Sequence, residues 1–155
     1  MVKKVHFTVL AHDFKLNLAM QQWLNGYRIV PHIIIDRHNI VSARNSAVEQ
    51  FLAGTGTHLV LLDNGVWPNH TTAPLLDADG EVVYMGHIAT GGHPAHLGDG
   101  NLGCAAVRFS RQALEAIKPP WFECEYNATG SKVLKCDCSV LRDKLHAAGL
   151  GTHMV

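Results

Sequence analysis

Apolar residues in this chain fall into short uninterrupted runs and into longer stretches where they recur every three or four positions. Short runs are typical of buried strands, and the spaced pattern is typical of helices with one buried face. The pattern predicts strands over 5–11, 29–35, 57–63, 81–86, 102–109, 121–126 and 152–155, and helices over 14–24, 39–53, 71–76, 111–117 and 137–148. Because strands and helices alternate, we expect one three-layer α/β domain over residues 1–155.

The run 57–63 is apolar almost throughout and ends at Asp63, where the turn signal Asn64-Gly65 follows. Such a run indicates a strand that is buried on both faces, as in a parallel sheet. Open α/β sheets bind their ligands outside the carboxyl ends of the strands. Asp63 is therefore the first candidate for a functional residue.

The helix predicted over 39–53 carries Arg44 in the middle of its apolar stripe, between Ile40 and Val48. A guanidinium on a buried face must be paired. The start of a helix in a β-α-β unit lies at the carboxyl edge of the sheet, so we expect Arg44 and Asp63 to be neighbours. A purely structural ion pair and a functional site both fit this pattern.

The composition excludes some classes of function. The 13 basic and 13 acidic residues balance, which removes the electrostatic argument for binding nucleic acid or an acidic membrane surface. No apolar run reaches the roughly 18 residues of a membrane-spanning helix. The four cysteines do not form a disulfide framework in a chain of this length, so we expect a cytoplasmic protein.

Several stretches together resemble glycosyltransferases with the GT-A fold. They lie, in the order expected of that family, at 40–48, 57–68, 103–110, 120–122 and 136–149. The resemblance implies a mixed, mostly parallel sheet between helices in an α/β/α arrangement, with a nucleotide sugar at its carboxyl edge. It further implies transfer of the sugar from a UDP- or GDP-sugar to an acceptor.

The resemblance also implies roles for particular residues. The nucleotide would contact residues that follow the first three strands, together with the helix arginine: His12, Asp13, Asp36, Arg44, Asp63 and Asn64. Similar enzymes bind Mn²⁺ or Mg²⁺ with an Asp-x-Asp motif, but here Gly65 stands in place of the second aspartate. Asp63 and His153 would then hold the cation, with His70 as another candidate.

The acceptor side would use residues from the second half of the chain. Asp137 would deprotonate the acceptor, although an aspartate at a helix start is equally explained as an N-cap. Arg44 would help to neutralise the leaving diphosphate. Asp99 and Asn101 would bind sugar hydroxyl groups, and Trp121 would either stack on a sugar ring or pack in the core.

Two other functions fit the sequence. The chain would be a nucleotide- or sugar-binding protein that lost turnover with the missing carboxylate, or a zinc- or nickel-binding protein. The second alternative uses the Gly- and His-rich stretch 87–100, where His87, His93, His96 and Asp99 are candidate ligands. Because 155 residues leave little room for an acceptor subdomain, a homo-oligomer or a partner protein would complete the acceptor side.

Overall fold

A six-stranded sheet lies between helices in the computed structural model, which describes residues 3–36, 39–88, 94–95 and 98–155. The strands are β1 (Val5–Ala11), β2 (His32–Ile35), β3 (His58–Asp63), β4 (Val82–Tyr84), β5 (His87–Ile88), β6 (Pro94–Ala95), β7 (Ala106–Ser110), β8 (Glu125–Tyr126), β9 (Val133–Lys135) and β10 (His153–Met154). The helices are α1 (Leu18–Gly26), α2 (Ile40–Ala53), α3 (Pro74–Asp77), α4 (Arg111–Glu115) and α5 (Asp137–Ala147), and a 3₁₀ turn spans His70–Thr72.

The sheet is mixed and mostly parallel. Its strand order is β10-β4-β7-β3-β1-β2, and β7 runs antiparallel to both of its neighbours, β3 and β4. The other strands of this sheet all run in one direction. The expectation of an α/β protein with a mostly parallel mixed sheet is therefore confirmed. Two short hairpins, β5-β6 and β8-β9, lie outside the main sheet.

Two clusters of apolar side chains cover the faces of the sheet. Leu59 and Leu61 of β3 pack with α2, α4 and α5, whereas Val60 and Leu62 pack with α1 and Leu75 of α3. All four β3 side chains are fully buried, and burial of each contributes about 2 kcal/mol to folding. A strand that is apolar on both faces thus sits at the centre of three layers, as its sequence predicts.

Several predicted boundaries were wrong, each for a local reason. The helix predicted from residue 14 begins at Leu18, because the side chain of Asn17 accepts a hydrogen bond from the backbone of Met20 (2.8 Å) and caps it. The strand predicted over 121–126 is confined to β8, because the backbone N–H and carbonyl of Phe122 bond to the side chain of Asn45 and not to a neighbouring strand. The segment predicted as one helix over 71–76 is split between the 3₁₀ turn and α3.

The His-rich stretch falls largely outside the described residues. Its backbone pairs β5 with β6, but His93 and His96 and the side chain of His87 lie outside what the structure describes. Within the described ranges, the helices are too short or too polar for any of them to cross a bilayer.

Candidate functional site

A cleft of about 620 Å³ opens at the carboxyl edge of β1, β2 and β3. Strand register explains its position, because Leu10 of β1 pairs with Asp63 of β3 and Ala11 pairs with Ile35 of β2. The three strands therefore deliver their last residues to one place. This carboxyl-edge cleft is lined by Leu10, Ala11, His12, Asp13, Lys15, Asp36, Ile40, Asp63, Asn64 and Gly65. Of the six residues predicted to contact a nucleotide, all except Arg44 line it.

Asn17 joins the two loops that form one wall of the cleft. Its backbone N–H donates to Asn64 Oδ1 (3.0 Å), and its side-chain amide donates to the carbonyls of Asn64 (2.5 Å) and Val66 (2.9 Å). The amide of Asn64 donates to the carbonyl of Lys15 (3.0 Å). Both ends of the Asn64 side chain are therefore engaged within the wall, where they hold the loop after β3 against the loop after β1.

His12 and Asp36 form the opposite part of the rim. Nδ1 of His12 lies 2.6 Å from Oδ1 of Asp36, and the histidine side chain is 68% exposed while that of the aspartate is 6% exposed. The backbone N–H of Asp36 donates to the carbonyl of Ala11 (2.8 Å), which anchors the carboxylate at the strand end. The buried carboxylate thereby orients an imidazole that stays open to solvent.

Arg44 bridges two carboxylates behind the cleft. Its guanidinium donates to Asp63 Oδ2 (3.0 Å) and to Asp137 Oδ2 (2.5 Å), and its side chain is 7% exposed. The predicted proximity of Arg44 to Asp63 is confirmed. Burial opposes the charge of Arg44, but the carboxylates of Asp63 and Asp137 outweigh this effect, so its pKa is raised. One cation between two carboxylates leaves a formal charge of about minus one.

Asp63 is the member of this bridge that reaches the cleft. Its Oδ2 accepts from Arg44, while its buried Oδ1 has no hydrogen-bond partner among the described residues. Burial raises its pKa to about 6, although the neighbouring Arg44 partly offsets the shift. An unpartnered carboxylate oxygen can accept a hydrogen bond from a ligand or coordinate a hard cation.

Asp137 has a role that neither sequence interpretation contained. It is the first residue of α5, but the N-cap is Cys136, and no side chain caps the helix. The Asp137 carboxylate is buried against Arg44 and does not line the cleft. Asp137 is therefore placed as a partner that holds Arg44, and its placement does not support the predicted action as a catalytic base. Arg44 likewise faces its two carboxylates rather than the cleft.

The predicted metal ligands lie far apart. The strand register runs from His153 through Val83 and Arg108 to Val60 of β3. His153 is therefore three strands from β3, level with a residue that precedes Asp63 by three positions. Standard strand spacing makes this about 15 Å or more. His153 instead lies 4.0 Å from Asp99. Within the part of the chain that the structure describes, no group of three or more His, Cys, Asp or Glu side chains is arranged to hold a metal.

The residues predicted to bind a sugar or acceptor do not line the cleft. Trp121 is 7% exposed and its Nε1 donates to the carbonyl of Leu114 (2.9 Å), so of its two expected uses the structure shows packing in the core. Asp99 accepts from the backbone of Met154 (2.8 Å) and Asn101 accepts from Arg142 (3.0 Å). These bonds fasten the loop before β7 to the C-terminal segment and to α5.

Sequence reasoning missed Lys15 and Asn17 at the site. Both fell inside the helix that was predicted over residues 14–24, although the structure places them in the loop before α1. The signal that was overlooked is an N-cap residue directly before the apolar run that begins at Leu18. Because α1 begins after Asn17, Lys15 lies in the preceding loop, where it is exposed and lines the cleft.

Three cysteines lie close to the buried bridge without forming a metal or disulfide site. Cys104 and Cys138 are buried in one core cluster and Cys136 packs against it, and none of the three is in a disulfide. A hydrogen bond with Cys138, together with burial, raises the pKa of Cys136 to about 12, and the pKa of Cys138 is raised as well. Protonated thiols of this kind act as small packing residues.

Comparisons with known proteins identify a shared fold and no family. No protein-family model matches the chain, and no characterised protein matches it in sequence. Among solved structures, the crystal structure of A197 from STIV superposes with a TM-score of 0.71 over 98% of this chain and 81% of that chain, at 18% sequence identity. At this level of identity, the similarity shows that the two proteins share a fold.

Proposed function

We propose that this protein is a small glycosyltransferase of the GT-A type, which binds a UDP- or GDP-sugar in the carboxyl-edge cleft and transfers the sugar to an acceptor. The observation that carries the proposal is the position of Asp63, whose side chain lines the cleft at the end of the central strand. Ligands of open α/β sheets bind at this edge. The cleft volume, about 620 Å³, falls within the range of small-molecule sites.

Each wall of the cleft offers chemistry that suits one part of such a donor. The oriented imidazole of His12 and the carboxylate of Asp36 would contact the base or ribose, whose edges carry hydrogen-bond donors and acceptors. Lys15, exposed on the loop held by Asn17, would pair with the phosphates. Asp63 would bind the ribose or a divalent cation.

The residues present fit Mn²⁺ or Mg²⁺ in a limited way. The carboxylate of Asp63, which lines the cleft, offers hard oxygen ligands, and the negative charge of the Arg44 bridge favours a cation beside it. A divalent ion that is held by one or two carboxylates takes its other ligands from substrate phosphates and water. When bound, it would neutralise charge on the diphosphate leaving group.

A nucleotide-sugar-binding protein without turnover is the second candidate. It is favoured by the burial of Asp137 against Arg44, which keeps the expected base out of the cleft. It is also favoured by Gly65, which supplies no second carboxylate at the cleft. Both candidates use the same cleft and differ in whether the bound donor reacts.

Calorimetric titration of UDP and GDP tests the shared part of both candidates. We expect one nucleotide to bind in the presence of Mn²⁺ and binding to weaken by about tenfold or more in EDTA, or when Asp63→Asn removes the carboxylate. Asp79→Asn, which removes an exposed carboxylate from a residue that does not line the cleft, should bind as the wild type does. If neither nucleotide binds with or without the metal, both candidates are wrong.

Gly65→Asp separates the two candidates. A Cβ at Gly65 would meet no atom of the described residues within 4 Å, so a side chain can start there without a clash. If the native site is an enzyme that lacks one ligand, Gly65→Asp will raise metal-dependent hydrolysis of UDP- or GDP-sugars by about tenfold or more. Unchanged hydrolysis in a variant that still binds the nucleotide favours the binding protein.

A further inference from the structure

A second cavity lies at the opposite end of the same strands. It measures about 480 Å³ and is lined by the first residues of β1 and β2 and by the segment between α1 and β2: Val5, His6, Phe7, Arg28, Ile29, Val30, Pro31 and His32. We call it the amino-edge cavity. Because β1 spans the distance between the two sites, this cavity is separate from the carboxyl-edge cleft.

The polar side chains that line the amino-edge cavity are all basic. The rings of His6 and His32 have centroids 6.1 Å apart, and Arg28 lies on the same wall. None of the described lining residues is acidic. The structure shows no hydrogen bond or ion pair for these three side chains within its described part. Three basic side chains that line one cavity without a carboxylate favour an anion there.

Aromatic contacts connect His6 to α2. The ring of Phe51 lies 6.2 Å from that of His6, and the guanidinium of Arg111 lies 4.7 Å from the centroid of Phe51 on α2. Burial lowers the pKa of His6, and the neighbouring His32 lowers it further. His32 is the charged neighbour that acts on this imidazole, Arg28 lines the same cavity, and Arg111 contacts Phe51 and pairs with Glu115. A bound anion would oppose both effects and raise the pKa.

Arg28 occupies a backbone conformation that is unfavourable for an arginine. Its φ is 55°, in the left-handed region, just after the end of α1. Glycine is the usual residue at this position after a helix, and any other residue costs about 1 kcal/mol or more. A strained residue at a cavity wall is a recognised sign of function. Arg28 lines the same cavity as His6 and His32.

We propose that the amino-edge cavity binds a tetrahedral oxyanion, the phosphoryl group of free phosphate or of a phosphate monoester, between His6, Arg28 and His32. A guanidinium matches the geometry of such an anion in a bidentate contact. The two imidazoles bind it when they are protonated, so affinity rises as the pH falls. This site is independent of the proposed sugar transfer, because it shares no residue with the carboxyl-edge cleft.

Sulfate is the first probe, because its charge does not change over the range in which histidine titrates. Histidine Cε1–H resonances are followed during sulfate titration at about pH 6 and about pH 7.5, on either side of the ordinary pKa of 6.5. We expect sulfate to shift the His6 and His32 resonances and to raise the pKa of His6, with binding about tenfold tighter at the lower pH. Chloride at equal ionic strength should not do so.

Arg28→Gly is the decisive variant, because glycine accepts the left-handed backbone and the fold is retained. It should weaken sulfate binding by about tenfold, whereas Lys118→Gln, which removes an exposed cation elsewhere, should not. Equal resonance shifts at His58 and His70, or unchanged affinity in Arg28→Gly, would show non-specific screening and overturn the proposal.

Glycerol phosphate and inorganic phosphate then distinguish the two sources of the anion. Tighter binding of the ester identifies a monoester ligand, and tighter binding of the free ion identifies phosphate.

Discussion

At the scale of single residues, Asp63 connects the core to the carboxyl-edge cleft. Its side chain is 25% exposed and carries one oxygen bound to Arg44 and one without a described partner. Burial outweighs the attraction of Arg44 and raises its pKa from 3.8 to about 6. A group with this pKa changes charge within a range that experiments can reach without unfolding most proteins.

As the pH rises and Asp63 ionises, we expect the stability of the free protein to fall and its metal binding to strengthen. A raised pKa means that the fold favours the protonated carboxyl, so its contribution to stability is full below 3.8 and is lost as the pH rises through about 6. Coordination needs the ionised form, so Mn²⁺-dependent nucleotide binding should strengthen over the same rise.

Urea unfolding and calorimetry at several pH values measure the two trends, and Asp63→Asn provides the reference. The wild type should lose unfolding free energy relative to Asp63→Asn as the pH rises from about 4 to about 7. A difference that is constant over this range would show that Asp63 keeps an ordinary pKa. The variant should also show no metal-dependent step in binding.

Arg44 illustrates how a buried charge depends on its partners. Its guanidinium holds Asp63 and Asp137, and its own Nε has no described hydrogen-bond partner. Removal of this cation would leave two carboxylates facing each other without a counter-charge. We infer that Arg44 positions Asp63 for a ligand.

We expect Arg44→Met to lower the free energy of unfolding by about 3–5 kcal/mol at neutral pH, because it leaves buried carboxylates without a counter-charge. Adding Asp63→Asn and Asp137→Asn should restore much of the loss. Arg142→Met, which breaks a more exposed pair with Asp143, should cost about 1 kcal/mol or less. Urea unfolding measures all three, and equal losses in the two Met variants would contradict the buried bridge.

At the scale of elements, the cleft depends on two loops that are held together by one residue. Asn17 caps α1 through Met20 and also donates to the carbonyls of Asn64 and Val66. The start of α1 is thereby fixed to the end of β3. The loop that carries Lys15 is ordered by the same contacts.

We expect Asn17→Ala to cost about 2 kcal/mol in stability, because it removes a helix cap and two bonds between loops. Asn39→Ala is a matched control, since Asn39 caps α2 through Ser42 (3.0 Å); its loss should cost about 1 kcal/mol. Thermal unfolding gives the difference. Asn17→Ala should in addition weaken nucleotide binding more than Asn39→Ala does, and equal binding in the two variants would show that the loop contacts do not shape the cleft.

At the scale of the whole molecule, the core and the cleft are distinct regions that share one strand. β3 is buried by helices on both faces and ends at the cleft. Trp121, Phe122 and Leu114 belong to the core beneath α4. Their substitution should therefore change stability and leave ligand contacts intact.

We expect Trp121→Phe to lower the free energy of unfolding by about 1–3 kcal/mol, because it removes the bond from Nε1 to the carbonyl of Leu114 and leaves a small cavity. Nucleotide affinity in the folded variant should match that of the wild type. Calorimetry at a temperature well below the unfolding midpoint measures the affinity. A loss of about tenfold would show that Trp121 contacts the ligand.

Local pattern determined much of the architecture. The continuous apolar run of β3 indicated a strand covered on both faces, and it ends in the structure at Asp63 as predicted. The helical stripe of α2 placed Arg44 on the buried face, and the requirement that a buried guanidinium be paired led to Asp63. These inferences succeeded because side-chain periodicity and burial are local properties of the chain.

Only the tertiary structure decided the contacts between distant segments. Asp137 reaches Arg44 from 93 positions away, β7 enters the sheet antiparallel between β3 and β4, and His153 lies on the edge strand far from Asp63. The sequence by itself determined the buried central strand, the paired arginine and the α/β class. Strand order and long-range pairing depend on how the whole chain packs around the sheet, and no local pattern encodes that packing.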